Sequence, residues 1–244
     1  MLKTKIKKLL SKSIIINKIY QLLLEKFDGY YVKSYSQEGE DMILRRLFED
    51  TKKGFYVDIG AHHPQRFSNT QYFYKMGWTG INVDAMPGSM KKFEKLRPRD
   101  INLEMAVSDA NEHMTYYAFN DSALNTFSDE LSEIYKKDYK IIFKKDIETF
   151  PLSEILEKYL PKNKEIDFLS IDVENLELNV LKSNDWSKYM PKFILVEMLN
   201  DRIDSLQDNK IYNFLVNKNY RLISKTLNTA IFRINTQSND ICVE

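Results

Sequence analysis

Apolar residues along this chain change their period several times, and each change predicts an element. Phe55-Tyr56-Val57-Asp58-Ile59, Gly80 to Asp84, Leu103 to Val107, Ile166 to Asp172 and Phe193 to Glu197 are short apolar runs with β-branched or aromatic residues. Strands covered on both faces of a parallel sheet read this way. Between them the spacing turns helical. Ser36 to Asp41 followed by Met42-Ile43-Leu44 predicts a helix start with acids in its first turn. A helix is expected from Ser68 or Asn69 to Lys75, stopped by Gly77. Others run from Pro87 to Leu96, over 152–160, and from the fourth strand to about Leu181. His113 to Phe119 alternates like an exposed strand, whereas 120–150 is the least regular stretch. Tyr220 to Lys225 and Ala230 to Ile234, around Asn228-Thr229, predict an antiparallel hairpin. Strand-helix units closing on such a hairpin predict a doubly wound, Rossmann-like α/β sheet with a reversed strand at one edge.

Ahead of these units lies a segment of a different kind. Residues 1–27 hold seven Lys against one Glu, while the whole chain carries a formal charge of only +1. The remainder is therefore net acidic, which argues against a nucleic-acid partner. Leu2, Ile6, Leu9, Leu10, Ile14, Ile19, Leu23 and Phe27 recur at roughly helical spacing. Residues 1–33 are expected to form a basic amphipathic helix and 34–244 one domain. That helix suits the surface of an anionic membrane, or packing on its own domain or on a second subunit. Lys12 and Lys18 interrupt the apolar stretch, so a signal peptide is not expected. No apolar run reaches the length of ~18 residues that a spanning helix needs. The single cysteine, Cys242, excludes an internal disulfide framework and fits a reducing cytoplasm, at the inner face of the membrane if the helix binds there. With 43% hydrophobic and 29% charged residues, the chain is expected to fold rather than stay disordered.

The candidate chemistry sits at the strand ends, where open α/β sheets bind their ligands. Those ends carry Asp58, Asp84, Ser108-Asp109, Asp172-Val173-Glu174 and Glu197. Gly60 permits a tight turn after the first strand, and Asp84 follows 24 residues later, where such folds hold two ribose hydroxyls. Gly60 stands alone, without the Gly-x-Gly-x-x-Gly run that cradles a pyrophosphate. A one-glycine turn suits a nucleoside lacking phosphates, such as S-adenosylmethionine, and weighs against a nicotinamide oxidoreductase.

Several of these segments, taken in order, resemble the FkbM-type S-adenosylmethionine-dependent methyltransferases. They are Tyr35-Ser36-Gln37-Glu38-Gly39-Glu40-Asp41, Val57-Asp58-Ile59-Gly60-Ala61-His62, Ser68-Asn69-Thr70 and Gly77-Trp78-Thr79-Gly80. Further along come Ala123 to Ser128, Asp167 to Glu174, and Leu181 to Trp186. The resemblance covers about 35–200 and departs from the family's pattern at His63-Pro64, Asp84-Ala85 and Asn175. It implies a class I methyltransferase sheet. It further implies that Asp58, Gly60, Ala61 and His62 line the methionine end of the cofactor. Asp84 would hold the ribose, Ala85 and Met86 would flank the adenine, Ser108 and Asp109 would lie near its amino edge, and Gln37 would close the pocket. Methyl transfer would leave S-adenosylhomocysteine.

Transfer to a hydroxyl needs an aligned oxygen and a group to remove its proton. Asp172 and Glu174, with Glu197 beside them, are the expected catalytic acids; Asp172 also borders the cofactor. The same three suit a divalent cation such as Mg²⁺, which is the less favoured expectation. Alternatively, Glu174 merely supports a helix dipole. His62 is a second candidate base, and His63, Asn125 and Thr126 are expected at the substrate, Asn125 and Thr126 in a loop suited to a polyol. Ser128 in that loop serves equally as a helix cap. The resulting expectation is an O-methyltransferase acting on a sugar of a surface polysaccharide or glycoconjugate. A nicotinamide oxidoreductase and a non-catalytic binding protein of the same fold are the alternatives.

Overall fold

A computed structural model describes residues 14–26, 30–199 and 203–235. The chain divides into two units, Met1–Ser34 and Tyr35–Glu244. In the first, α1 spans Ile14–Lys26 and leaves Ile19, Leu22 and Leu23 about half exposed beside exposed Lys18 and Lys26. The first thirteen residues, and Cys242, lie outside the described residues.

The second unit opens with α2 (Glu40–Leu47), whose first-turn acids are Glu40 and Asp41. Then come β1 (Phe55–Ile59), α3 (Gln71–Lys75), β2 (Thr79–Asp84), α4 (Met90–Leu96) and β3 (Ile101–Glu104). An inserted layer follows: β4 (Ala106–Val107), β5 (His113–Phe119), α5 (Asp129–Tyr135) and β6 (Ile141–Phe150). The chain returns through α6 (Leu152–Tyr159), β7 (Phe168–Ile171), α7 (Glu177–Lys182) and β8 (Phe193–Glu197). It ends in α8 (Lys210–Asn217), β9 (Tyr220–Lys225) and β10 (Thr229–Ile234).

The main sheet has seven strands in the order β3-β2-β1-β7-β8-β10-β9. β3, β2, β1, β7 and β8 run parallel, and β10 runs against both β8 and β9. The fold is thus the expected Rossmann-like, doubly wound sheet. The expected reversed strand is β10, which sits one place in from the edge; β9 occupies the edge itself.

The period of two along β1 separates its two faces. Phe55, Val57 and Ile59 join Val83, Ile171 and Val196 in a core closed by Leu152, Leu156, Val180 and Leu181 of α6 and α7. Tyr56 points the other way, into an aromatic cluster with Leu44, Phe48, Phe73, Trp78 and Phe168. Asp58 shares the Tyr56 face, and that decides its role below.

Elsewhere the expected boundaries shift for local reasons. The run Leu103 to Val107 is two strands: the Met105 amide closes the β2–β3 ladder on the Asp84 carbonyl (3.1 Å), and Ala106-Val107 then pair with β6 instead. The helix expected from Pro87 begins at Met90, because Gly88 takes φ 82° and its amide bonds Glu104 (2.7 Å). The stretch 120–150 is more ordered than its pattern suggests. β6 pairs with β5 along its length, but Lys144, Lys145, Asp146 and Glu148 are exposed, which hides the alternation. α8 was not foreseen; Asn209 caps it by accepting the amides of Ile211 (2.7 Å) and Tyr212 (3.0 Å).

Candidate functional site

The strand order reverses between β1 and β7, so their carboxyl ends diverge around a crevice. Gly60 and Asp172 lie side by side there, the Asp172 amide bonding the Ile59 carbonyl (3.0 Å). Gly60 has φ 80°, and a Cβ on it would overlap the Asp172 carbonyl oxygen. Glycine is therefore demanded by the neighbouring strand as much as by a ligand. From this crevice opens a cavity of about 710 Å³.

One wall of the cavity comes from the end of β2. Asp84 accepts the amides of His62 and Met86, both at 2.8 Å, so its two oxygens are oriented with lone pairs to spare. Burial pushes its pKa up. Ala85, Met86 and Pro87 continue this wall, with Met105, Ala106 and Val107 opposite and Gln37 also on the lining. This shape fits a nucleoside: an acid for two vicinal hydroxyls, apolar surfaces for a flat base, and no glycine-rich phosphate cradle.

At the other end stand Asp172, Glu174 and Glu197, each offering an oxygen within 4.8 Å of the others. That spacing also suits a shared divalent cation. No Lys, Arg or His nitrogen lies within 4.0 Å of these carboxylates among the described residues. Asp172 opens onto the cavity yet lies deep in the protein. Desolvation raises its pKa, helped by the charges of Glu177, Asp58 and Glu40. Glu197 is raised as well, through desolvation and then the charges of Asp172 and Glu174, and the pair lies close enough to share a proton. Glu174 is pushed up to about 8 by desolvation first and Asp172 second.

The turn carrying Glu174 is built from its neighbours. Glu174 and Asn175 take φ 53° and 79°, and Glu177 accepts the amides of Val173 (3.1 Å) and Asn175 (3.2 Å). Glu177, at the start of α7, thus performs the helix-start duty that Glu174 could have had. Thr126 supports the same turn by donating to the Glu174 carbonyl (3.3 Å), and the Tyr135 hydroxyl reaches Glu174 itself at 3.5 Å.

His62 lines the cavity in a left-handed conformation, φ 50°, and burial lowers its pKa, leaving the ring neutral. His63 also lines it, but its Nδ1 accepts the amides of Gln65 and Arg66 (3.1 Å each). Asn125 lines the cavity as well, with Oδ1 holding the Phe119 amide (2.9 Å) and Nδ2 beside the Met86 sulfur. Ser128 caps α5.

Five sequence-expected residues stand outside the cavity lining. Asp58 faces the α3 layer and accepts the Thr70 hydroxyl (3.0 Å) in a buried network around Arg97. Ala61 packs against Met90 and Phe93. Ser108 is buried, Asp109 bonds Asn179 (2.9 Å), and Thr126 has the supporting role above. Ala106 and Val107 take the place expected of Ser108 and Asp109, because the chain changes sheets there. Residues missed in the sequence include Tyr116, Phe127 and Tyr135 of the inserted layer, and Arg66 and Lys92. Phe127 lies within the Ala123 to Ser128 segment that carries the resemblance, whereas aromatic density in the insert was the signal for Tyr116 and Tyr135.

Comparison with known proteins places this geometry in context. A family model described as the methyltransferase FkbM domain matches residues 58–222. Among solved structures, a Pyrococcus horikoshii protein described as an RNA methyltransferase aligns over 80% of this chain and 83% of its own. It shows 10% identity and a TM-score of 0.43. A Sulfolobus solfataricus protein described as a type 11 methyltransferase aligns over 84% and 98%, with 11% identity and a TM-score of 0.43. No curated protein matches the sequence.

Proposed function

The chain belongs to the FkbM methyltransferase family, and from that premise we propose that it moves a methyl group from S-adenosylmethionine to a hydroxyl oxygen of a sugar in a glycan or glycoconjugate. One observation carries the reading. One cavity joins a nucleoside-type wall, centred on Asp84, to three carboxylates that no Lys, Arg or His of the described residues pairs with. The bound cofactor would supply a methyl group on a sulfonium centre, next to which those carboxylates are electrostatically favourable.

The protein's own part is to place the acceptor and take its proton. Asp84 accepts the ribose hydroxyls while Ala85 and Met86 flank the adenine. Glu174 takes the acceptor's proton; a base with a pKa of about 8 is well matched to that task near neutral pH. Asp172 and Glu197, sharing one proton between them, hold further hydroxyls, one carboxyl as acceptor and the other as donor. On this reading a proton, not a divalent cation, joins the pair, and a chelator leaves turnover unchanged. Exposed Ile19, Leu22 and Leu23 on the lysine-bearing α1 suit an anionic membrane surface carrying a lipid-linked acceptor; sedimentation with anionic and zwitterionic vesicles tests that part. Among the described residues no helix is long and apolar enough to cross a membrane.

Titration with S-adenosylmethionine, S-adenosylhomocysteine and NAD tests the cofactor. Both sulfur nucleosides should bind and NAD should not. Losing the charged acceptor in Asp84→Ala should weaken binding about 10- to 100-fold. Absence of binding by folded wild-type protein overturns the reading.

A further inference from the structure

The proposed reaction uses the Asp84 wall and the acidic end, but leaves a third side of the cavity without a task. His63, Arg66, Phe67 and Lys92 form that side. From their placement we infer that it is a binding subsite for an anionic group, a phosphate ester or a carboxylate, carried by the acceptor at a distance from the hydroxyl that is methylated. This rests on the methyl-transfer reading for its acceptor, though the anion site itself does not.

The loop is built to present these groups. Two non-glycine residues, His62 and Phe67, take left-handed backbone at φ 50° and 54°, bending the chain at both ends of the segment. Arg97, fully buried, donates to the Pro64 carbonyl (2.6 Å) and the Ser68 hydroxyl (2.8 Å), tying down both flanks of Gln65-Arg66-Phe67. Inside it, His63 Nδ1 is occupied by two backbone amides, so its remaining nitrogen carries hydrogen and is a donor. The Arg66 guanidinium lies 4.3 Å from the centre of the Phe67 ring, a stacking that orients its planar fork. Lys92 approaches from α4.

Charge then selects the ligand. No carboxylate pairs with Arg66 or Lys92 within 4.0 Å among the described residues. The nearby acids are engaged: Asp84 with the amides of His62 and Met86, Asp121 with that of Ala123. A guanidinium fork, an ammonium and an imidazole N–H gathered near His63, with no carboxylate paired to Arg66 or Lys92 within 4.0 Å, match a phosphate or carboxylate and offer nothing special to a neutral sugar. The cavity is thus polarised, acidic where the sulfonium would lie and cationic on the far side.

The test uses the full chain saturated with S-adenosylhomocysteine, titrated with glucose 1-phosphate, glucuronate and glucose. At least one anionic probe should bind about tenfold or more tighter than glucose, and which one does so separates phosphate from carboxylate as the natural group. The double variant Arg66→Ala/Lys92→Ala should lose that preference while keeping its melting temperature and its affinity for S-adenosylhomocysteine. Equal binding of glucose, no binding of either anion, or an unchanged preference in the double variant overturns the proposal. So does loss of S-adenosylhomocysteine binding in the double variant, which would assign the cations to the cofactor. If wild-type protein binds an anionic probe through these residues but no S-adenosylhomocysteine, the methyl-transfer reading falls and the anion subsite stands.

Discussion

Two groups of acids lie near β1 and β7, one buried beneath the sheet face and one open to the cavity, and they are partnered differently. On the α3 face, Asp58 and Asp100 surround Arg97, which is fully buried. Arg97 bonds Thr70 (2.6 Å) and lies 4.0 Å from Asp100. Asp100 is further held by the Tyr56 hydroxyl (2.6 Å), the Gly80 amide (3.0 Å) and Asn82 (3.1 Å). In the cavity, Asp172, Glu174 and Glu197 have one another and, among the described residues, no Lys, Arg or His nitrogen within 4.0 Å. Burial raises the pKa of Asp58 and Asp100 too, but fixed hydrogen-bond donors and the nearby guanidinium hold them in place. An acid that must share a proton with its neighbours is poised to exchange it. Partnering and burial together separate scaffold from chemistry here.

The sharpest way to break that contrast is to take the cation from the satisfied group. Arg97→Met leaves Asp58 and Asp100 buried without it and frees Pro64, Ser68 and Thr70. Removing one partner of a buried pair costs about 3–5 kcal/mol, so urea unfolding should show a loss of that size, or no folded protein. A loss below about 1 kcal/mol would mean the network is not the clamp its geometry suggests. In the cavity the same kind of deletion should act on rate instead. Glu174→Gln should lower kcat by about 10²-fold or more, the usual contribution of a positioned base, with S-adenosylhomocysteine affinity nearly unchanged. Retained kcat would move the base to Asp172 or His62.

The contrast also has a pH signature of smaller size. An acid whose folded pKa is raised binds more protons folded than unfolded between its two values, so stability falls as pH climbs through that window and levels above it. For Glu174 the window runs from 4.5 to about 8. The melting temperature of the unliganded protein should therefore decline from pH 5 to pH 8, and Glu174→Gln should flatten the decline. Turnover should rise over the upper part of the same range, since the base acts deprotonated. A melting temperature that rises over it would contradict the raised pKa.

This division of labour was only half legible in the sequence. Strand positions were, because runs such as Phe55–Ile59 and Phe193–Glu197 are apolar on both faces and have one physical explanation. The role of each strand-end acid was not, because it depends on which way a side chain faces and on what distant residues supply. Asp58 lies one residue before the end of β1, so the pleat turns it to the Arg97 side. Arg97 sits 39 residues further along, at the end of a lysine-rich helix where an exposed side chain is the ordinary expectation. Glu174 reaches the cavity because Glu177 takes over the helix start, a choice between two adjacent acids that composition cannot make. Ser108 and Asp109 miss the cavity because the chain leaves β2 after Met105, and that exit depends on pairing with Thr149 and Phe150, far along the sequence.

Asp109 offers the finest test, because it is an acid of the expected site that is neither clamped nor poised. Its partner is the Asn179 amide at 2.9 Å, and that bond lowers its pKa, opposite to the direction of the cavity acids. The group is largely solvated, and Asp109→Asn keeps the shape and one acceptor oxygen. The substitution should change unfolding free energy by less than about 0.5 kcal/mol. It should leave S-adenosylhomocysteine affinity within about twofold, since Ala106 and Val107 occupy the wall expected of it. A loss of cofactor affinity comparable to that of Asp84→Ala would place Asp109 back at the adenine. Strand-end position would then outweigh local partnering as the guide to which acids carry function.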